Sequence, residues 1–140
     1  MPDAAVNEGF AYSVALQGDR ALISVPCDSE LGGCSGVGVV LDRDRATFDF
    51  AFRQYGHNTS PGDRLGSAVA IDGNTIAIAA NVKHGPQGSQ TGAVYVYVEN
   101  GSKYQEQAFL RPQELEPFDH FGNAIDLEGH RAVVSAMEGG

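Results

Sequence analysis

The sequence predicts an all-β fold built from four-stranded antiparallel sheets that recur along the chain. Three observations predict it. A pattern of about 55 residues returns, twice in full and once truncated. Short β-branched and aromatic runs, bounded by Gly, Pro, Asn or Asp, carry the apolar residues. Gly is abundant, 18 of 140 residues, as frequent turns between short strands require.

The repeat comes first, because a missed period misreads everything downstream. Residues 9–26, 64–81 and 120–137 align. Their anchors Phe10, Leu65 and Phe121 stand 55 and 56 apart, and the turn glycines Gly18, Gly73 and Gly129 keep the same spacing. In the second half of the unit, residues 36–41 align with 92–97, again 56 apart, and residues 48–52 align approximately with 104–109. The units run approximately over 9–61, 62–117 and a truncated 118–140.

The second unit shows the expected elements most clearly. Strand one is Gly66–Ile71 and strand two is Thr75–Ala79. Asp72-Gly73-Asn74 joins them, since Gly beside Asn or Asp supplies the positive φ of a tight hairpin. Gly18-Asp19 and Gly129-His130 do the same in the other units. Strand three is Ala93–Val98, opened by Gly92 and rich in Val and Tyr. Asn100-Gly101 turns the chain into strand four, Tyr104–Leu110, and Pro112 stops it. A helix competes for the Ala-rich runs, but they are only ~5–6 residues long and bounded by Gly. Near-continuous apolar character means that both faces of each sheet are covered. Such sheets in series are propeller blades, here about two and a half. Strands one and two, with small residues such as Ala68, Ala70, Ala77 and Ala79, suit the crowded centre. Tyr95, Tyr97, Tyr104 and Phe109 suit the wider periphery. Two and a half blades do not close a ring, so the reading expects further blades of a longer chain or self-assembly.

Composition narrows the function. The chain is 42% hydrophobic and 19% charged, which suits a folded domain, with net charge -9. Nine Lys and Arg scattered among eighteen Asp and Glu supply no basic face for nucleic acid or for an anionic membrane. No stretch reaches the ~18 apolar residues of a membrane span. Residues 1–6 show neither a basic segment nor an apolar one, so no signal peptide is read in them.

The order of Phe-Gly, a Ser-Val-Ala-like strand, a tight turn, an Ile-Ala-like strand and then Gly-Ala-Val-Tyr-Val-Tyr resembles the FG-GAP repeat. Phe121-Gly122 matches the first element outright, and Leu65-Gly66 and Phe10-Ala11 depart by one residue each. The second element is degenerate, at residues 24–26, 79–81 and 135–137. The resemblance covers residues 9 to 137. It implies the β-propeller of integrin α-chain ectodomains and of many bacterial and algal surface proteins. Calcium-binding members carry spaced carboxylates on a long loop between strands one and two, because calcium needs several oxygen ligands. Here two-residue turns hold one acid at most, Asp19, Asp72 or Glu128, so no metal site and no cofactor is carried over.

Few residues remain for chemistry. Cys27 and Cys34, seven apart in a Gly-containing loop, can close a disulfide, which would imply an oxidising compartment. Reduced thiols and half of a metal site are the alternatives. His57, His84, His120 and His130 fall at different repeat positions and read as surface polar residues. Ser13, Ser24, Ser67 and Ser135 recur with the fold, without a nucleophile elbow. Glu114, Glu116 and Asp119 read as a solvated connection between blades. The Gly-rich residues 85–92 lack a phosphate-loop pattern and read as an exposed loop. The resemblance therefore implies a non-catalytic scaffold for extracellular protein or glycan binding and adhesion. The rival is an accessory propeller of a secreted hydrolase whose catalytic domain lies outside these residues.

Overall fold

The computed structural model describes residues 11–28, 30–44, 47–86, 89–101, 103–129 and 131–137. Every regular element among them is a β-strand. The first sheet holds β1 (Val14–Gln17), β2 (Arg20–Val25), β3 (Val37–Asp44) and β4 (Thr47–Gln54) in that order. The second repeats it with β5 (Val69–Asp72), β6 (Thr75–Ala80), β7 (Ala93–Asn100) and β8 (Lys103–Leu110). The third has β9 (Ile125–Glu128) and β10 (Arg131–Val134). All neighbouring strands are antiparallel.

The turn glycines explain the hairpins. Gly18, Gly73 and Gly129 each sit at φ 56°, inside the pairs Gln17↔Arg20, Asp72↔Thr75 and Glu128↔Arg131. An L side chain resists that left-handed conformation, so a two-residue turn selects Gly.

The strand limits differ from the sequence reading by one to three residues at several ends. Strand one of the second unit starts at Val69, not Gly66. Gly66 lies at φ 118°, and the N–H groups of both Gly66 and Ser67 donate to the Ala79 carbonyl (2.6 and 3.1 Å), so the chain bends into the sheet before the ladder begins. Strand two runs one residue further, to Ala80. Asn100, read as a turn residue, is itself paired with Lys103, so β7 runs to Asn100 and β8 starts at Lys103. One feature invisible in the sequence recurs with the period. The register slips between Val40 and Leu41 and again between Val96 and Tyr97, 56 residues apart, leaving β4 and β8 one extra residue each.

Packing follows the radial expectation. Strand one of each unit packs on strand one of the next, β1 on β5 and β5 on β9, whereas β4 and β8 barely meet. Between the first two sheets, Leu22 and Val40 meet Val69, Ile76, Ile78, Tyr95, Tyr97 and Tyr104. The second and third sheets enclose Ala77, Ala79, Val94 and Val96 against Phe121, with Ile125 and Leu127 partly buried. Burying each large apolar side chain contributes roughly 1.5–3 kcal/mol, so these two seams, together with the cluster of Ile23, Val25, Val37, Val39 and Leu41 on the first sheet's outer face, carry the fold's driving force.

Candidate functional site

The recurrent residues converge on the joints between units. Leu65, the second anchor, is fully buried and bridges in parallel to Gly36, at the start of the preceding unit's strand three. Phe121 makes the same bridge to Gly92. A Cβ on Gly36 would land on the backbone of Leu65, and one on Gly92 on the backbone of Phe121. Both glycines also hold positive φ, 85° and 89°. Glycine is thus fixed there twice over, by conformation and by the approach of the next chain segment.

The residue after each anchor tightens the joint. A Cβ on Gly66 would stand 2.5 Å from the Ser24 Cβ, and one on Gly122 2.7 Å from the Ala79 Cβ. Ser24 and Ala79 are equivalent positions on strand two, so a small residue of one unit seats a glycine of the next. Ala11 holds that glycine's position in the first unit, at φ 61°. Phe10 lies outside the described residues, as do His130 and two residues of the Gly-rich loop, Gln87 and Gly88.

A second link joins the hairpin turns. The Gly73 N–H donates to the Gln17 side-chain oxygen, and the Gly129 N–H donates to Asp72 Oδ2 at 2.5 Å. Gln17 also donates from Nε2 to Asp72 Oδ1 at 2.9 Å. The Gly129 bond, then the Gln17 bond, holds the Asp72 carboxyl below its usual range. Asp72 is therefore a strut between turns. Among the described residues no three His, Cys, Asp or Glu side chains converge as metal ligands would.

Charged side chains reinforce the outer half of the first joint. Arg20 grips Asp42 of its own sheet through Nε and Nη2 at 2.6 and 3.0 Å. It reaches across to Glu99 and to the Tyr104 hydroxyl of the next unit. The two-point bond to Asp42 is the largest cause that raises the Arg20 pKa above its ordinary value. Asp28 and Lys83 are equivalent positions of opposite sign. Buried Asp28 pairs with Arg53, whereas buried Lys83 pairs with buried Asp63 and donates to the Asn58 carbonyl at 2.7 Å.

The histidines are not uniformly idle surface groups. His57 is exposed, but its N–H and Nδ1 both engage Glu106 (2.9 and 2.5 Å), and its ring meets Phe109 edge-on. It clamps the connection between the first two units onto β8. Beneath that connection, Tyr95 donates from its hydroxyl to Asn58 Oδ1 at 2.5 Å, and burial pushes its pKa up. His120 lies on Asn81 through Nδ1 (3.1 Å), and the His84 carbonyl accepts from Arg111. The serines serve structure as well. Fully buried Ser24 accepts the Ser13 N–H at 2.9 Å, and Ser67 links Asn81 to the Gly122 carbonyl. In the connection to the third unit, Glu114 and Glu116 are exposed and the Asp119 carboxylate accepts the Glu116 N–H, but Leu115 is buried beneath them.

Cys27 and Cys34 are joined in a disulfide. The bridge closes the loop whose far end docks the next unit: the Cys34 carbonyl accepts the Arg64 N–H and the Ser35 carbonyl the Leu65 N–H. In the second unit Gln90 and Thr91 receive His120 and Phe121 in the same way, without a cross-link. A cleft of about 200 Å³ opens at the first joint, lined by Tyr12, Pro26, Arg64, Ser67, Asn81 and Val82.

Four-stranded sheets coupled through the same joint define a repeat scaffold of propeller type. Residues 57–97 match the family model of the FG-GAP repeat, a span that contains Leu65, Gly66, Gly73 and Gly92. The chain thus carries an FG-GAP repeat in its second sheet. No curated protein matches the chain.

Proposed function

We propose that this chain is a non-catalytic propeller scaffold that presents its loops to a protein or glycan partner outside the cell. The observation that carries this reading is the repeated joint. The residues that recur with the period are spent on holding unit to unit, and parts of the inter-strand loops, Glu30 and Leu31 among them, stay exposed beside the segments that dock the next unit. The disulfide supports an oxidising compartment. Among the described residues no helix is long and apolar enough to cross a membrane. The loop closed by Cys27–Cys34 carries Leu31 exposed at its tip, which makes it the presented loop of choice.

The test is binding by the purified chain to immobilised glycans and matrix proteins, beside turnover of a panel of ester, glycoside and phosphate substrates. Saturable binding that weakens in Leu31→Asp, with no turnover, is expected. Turnover of any substrate class by the chain alone would overturn the scaffold reading.

A further inference from the structure

The first joint lies inside the chain, between two four-stranded sheets, and it stays open at a place where the second joint is tied shut. At the second joint three residues bond to one another. The Asn81 N–H donates to Ser67 Oγ (3.1 Å), the Ser67 hydroxyl donates to the Gly122 carbonyl (3.3 Å), and His120 Nδ1 lies 3.1 Å from the Asn81 carbonyl. One period earlier the positions of Asn81, Ser67 and His120 hold Pro26, Tyr12 and Arg64. Pro26 has no N–H to donate. Arg64 and His120 share one backbone conformation, at φ 55° and 52°, so the two joints differ here in their side chains. Tyr12 and Arg64 are both exposed. Among the described residues, the Tyr12 hydroxyl, the Arg64 guanidinium and the Asn81 carboxamide have no hydrogen-bond or ion-pair partner. With Pro26, Ser67 and Val82 they line the cleft of about 200 Å³.

These unbonded groups define a ligand by its chemistry. Arg64 offers a planar fork of N–H donors, which matches a carboxylate at two points. The net charge of -9 repels polyanions, so one cation among so many acids selects a ligand with a single carboxylate. The Asn81 carboxamide and the Tyr12 hydroxyl each donate and accept, as sugar hydroxyls do. An acidic side chain of a protein only accepts, and would leave the Asn81 oxygen unmatched. The exposed Tyr12 ring gives the C–H face of a sugar ring an apolar surface to lie on. The volume falls below the ~300–1,000 Å³ of pockets for drug-sized ligands and suits one ring. We infer that this cleft binds one acidic sugar residue, a hexuronic acid at the end of a glycan, with its carboxylate on Arg64, its hydroxyls on Asn81 and its ring on Tyr12. This rests on the scaffold reading and names the class of glycan and its place. Leu31 does not line the cleft, so the cleft and the presented loop can fail separately.

Proton–nitrogen NMR of the 140-residue protein follows the Arg64 Nε–H and Asn81 side-chain amide signals during three titrations. The probes are methyl glucuronide, neutral methyl glucoside, and N-acetyl-aspartate methylamide as an acidic-peptide probe. The glucuronide shifts both signals to saturation and binds about tenfold or more tightly than the glucoside, the effect of one charge-assisted pair. Arg64→Gln removes that advantage and leaves glucoside binding unchanged. Tyr12→Ala weakens both sugars alike, about fivefold. Both side chains are exposed, so both variants keep the fold, as unchanged signals elsewhere in the spectrum verify. The aspartate probe binds more weakly than the glucuronide and does not respond to Tyr12→Ala. No saturable shift with glucuronide, or equal glucuronide affinity in Arg64→Gln, overturns the assignment. So does an aspartate probe that binds as tightly as the glucuronide, which would make an acidic peptide the occupant. Silence toward glucuronide with Leu31-dependent partner binding retained overturns the cleft alone. A glucuronide response in a chain that turns over a substrate supports the cleft and overturns the non-catalytic scaffold.

Discussion

Leu22, Ala77 and Val133 hold one position of the repeat, on strand two and facing the following unit. Leu22 and Ala77 are fully buried, while Val133 is 72% exposed. At the other end, Val69 is 7% exposed where its counterpart Val14 is 64% exposed. Residue type does not separate these cases, since all are apolar. What separates these residues is whether a neighbouring unit lies on that side, although the first sheet's outer face also buries a cluster of its own, Ile23, Val25, Val37, Val39 and Leu41. A sheet in this architecture owns only part of its core; each seam is shared, and stability is a property of joints as much as of sheets.

The joint glycines offer the strongest way to break that comparison. Gly92→Ala meets both a forbidden conformation and the Phe121 backbone. It should cost about 3 kcal/mol or more by urea unfolding. Gly73→Ala keeps the same kind of conformational penalty with nothing within 4 Å, and should cost only ~1–2 kcal/mol. Lys83→Met matches the Gly92 substitution in size, at about 3–5 kcal/mol, because it strands Asp63 as a buried charge. Adding Asp63→Asn should recover part of that loss.

The smallest effect is electrostatic. Asp72 is held below its ordinary pKa of 3.8 by the neighbouring turn. A depressed carboxyl adds stability above its unfolded pKa and loses it as pH falls through the folded one. Asp72→Asn should therefore lower stability slightly at neutral pH and flatten the acid limb below about pH 4, where the two proteins converge, as acid titration followed by circular dichroism would show.

The period, the three turn glycines and the anchors were legible because each is one residue type demanded by one backbone geometry. The two cysteines were legible as a possible bridge, since nothing else in that loop competes for them. The acceptor strut between turns was harder, because Gln17, Asp72 and Glu128 look like three unrelated residues. Aligned at the period they share one property, an acceptor oxygen just before the turn glycine, and that signal could have revealed it. The reversal of Asp28 into Lys83 hid the buried ion pairs, as each unit solves the same burial with a different partner. The clamp of His57 on Glu106 joins residues 49 apart in different sheets, which no local pattern encodes. The recurring bulge leaves no residue signature, because Ala51 and Gln107 share no chemistry.

The most direct test of shared seams is urea unfolding of Leu22→Ala beside Val133→Ala, two truncations at one repeat position. The account predicts about 2–5 kcal/mol lost for Leu22→Ala, where a covered seam is hollowed, and within ~0.5 kcal/mol of no change for Val133→Ala. Comparable losses at the two sites would contradict it, since the third unit's outer face would then be as covered in solution as the first unit's.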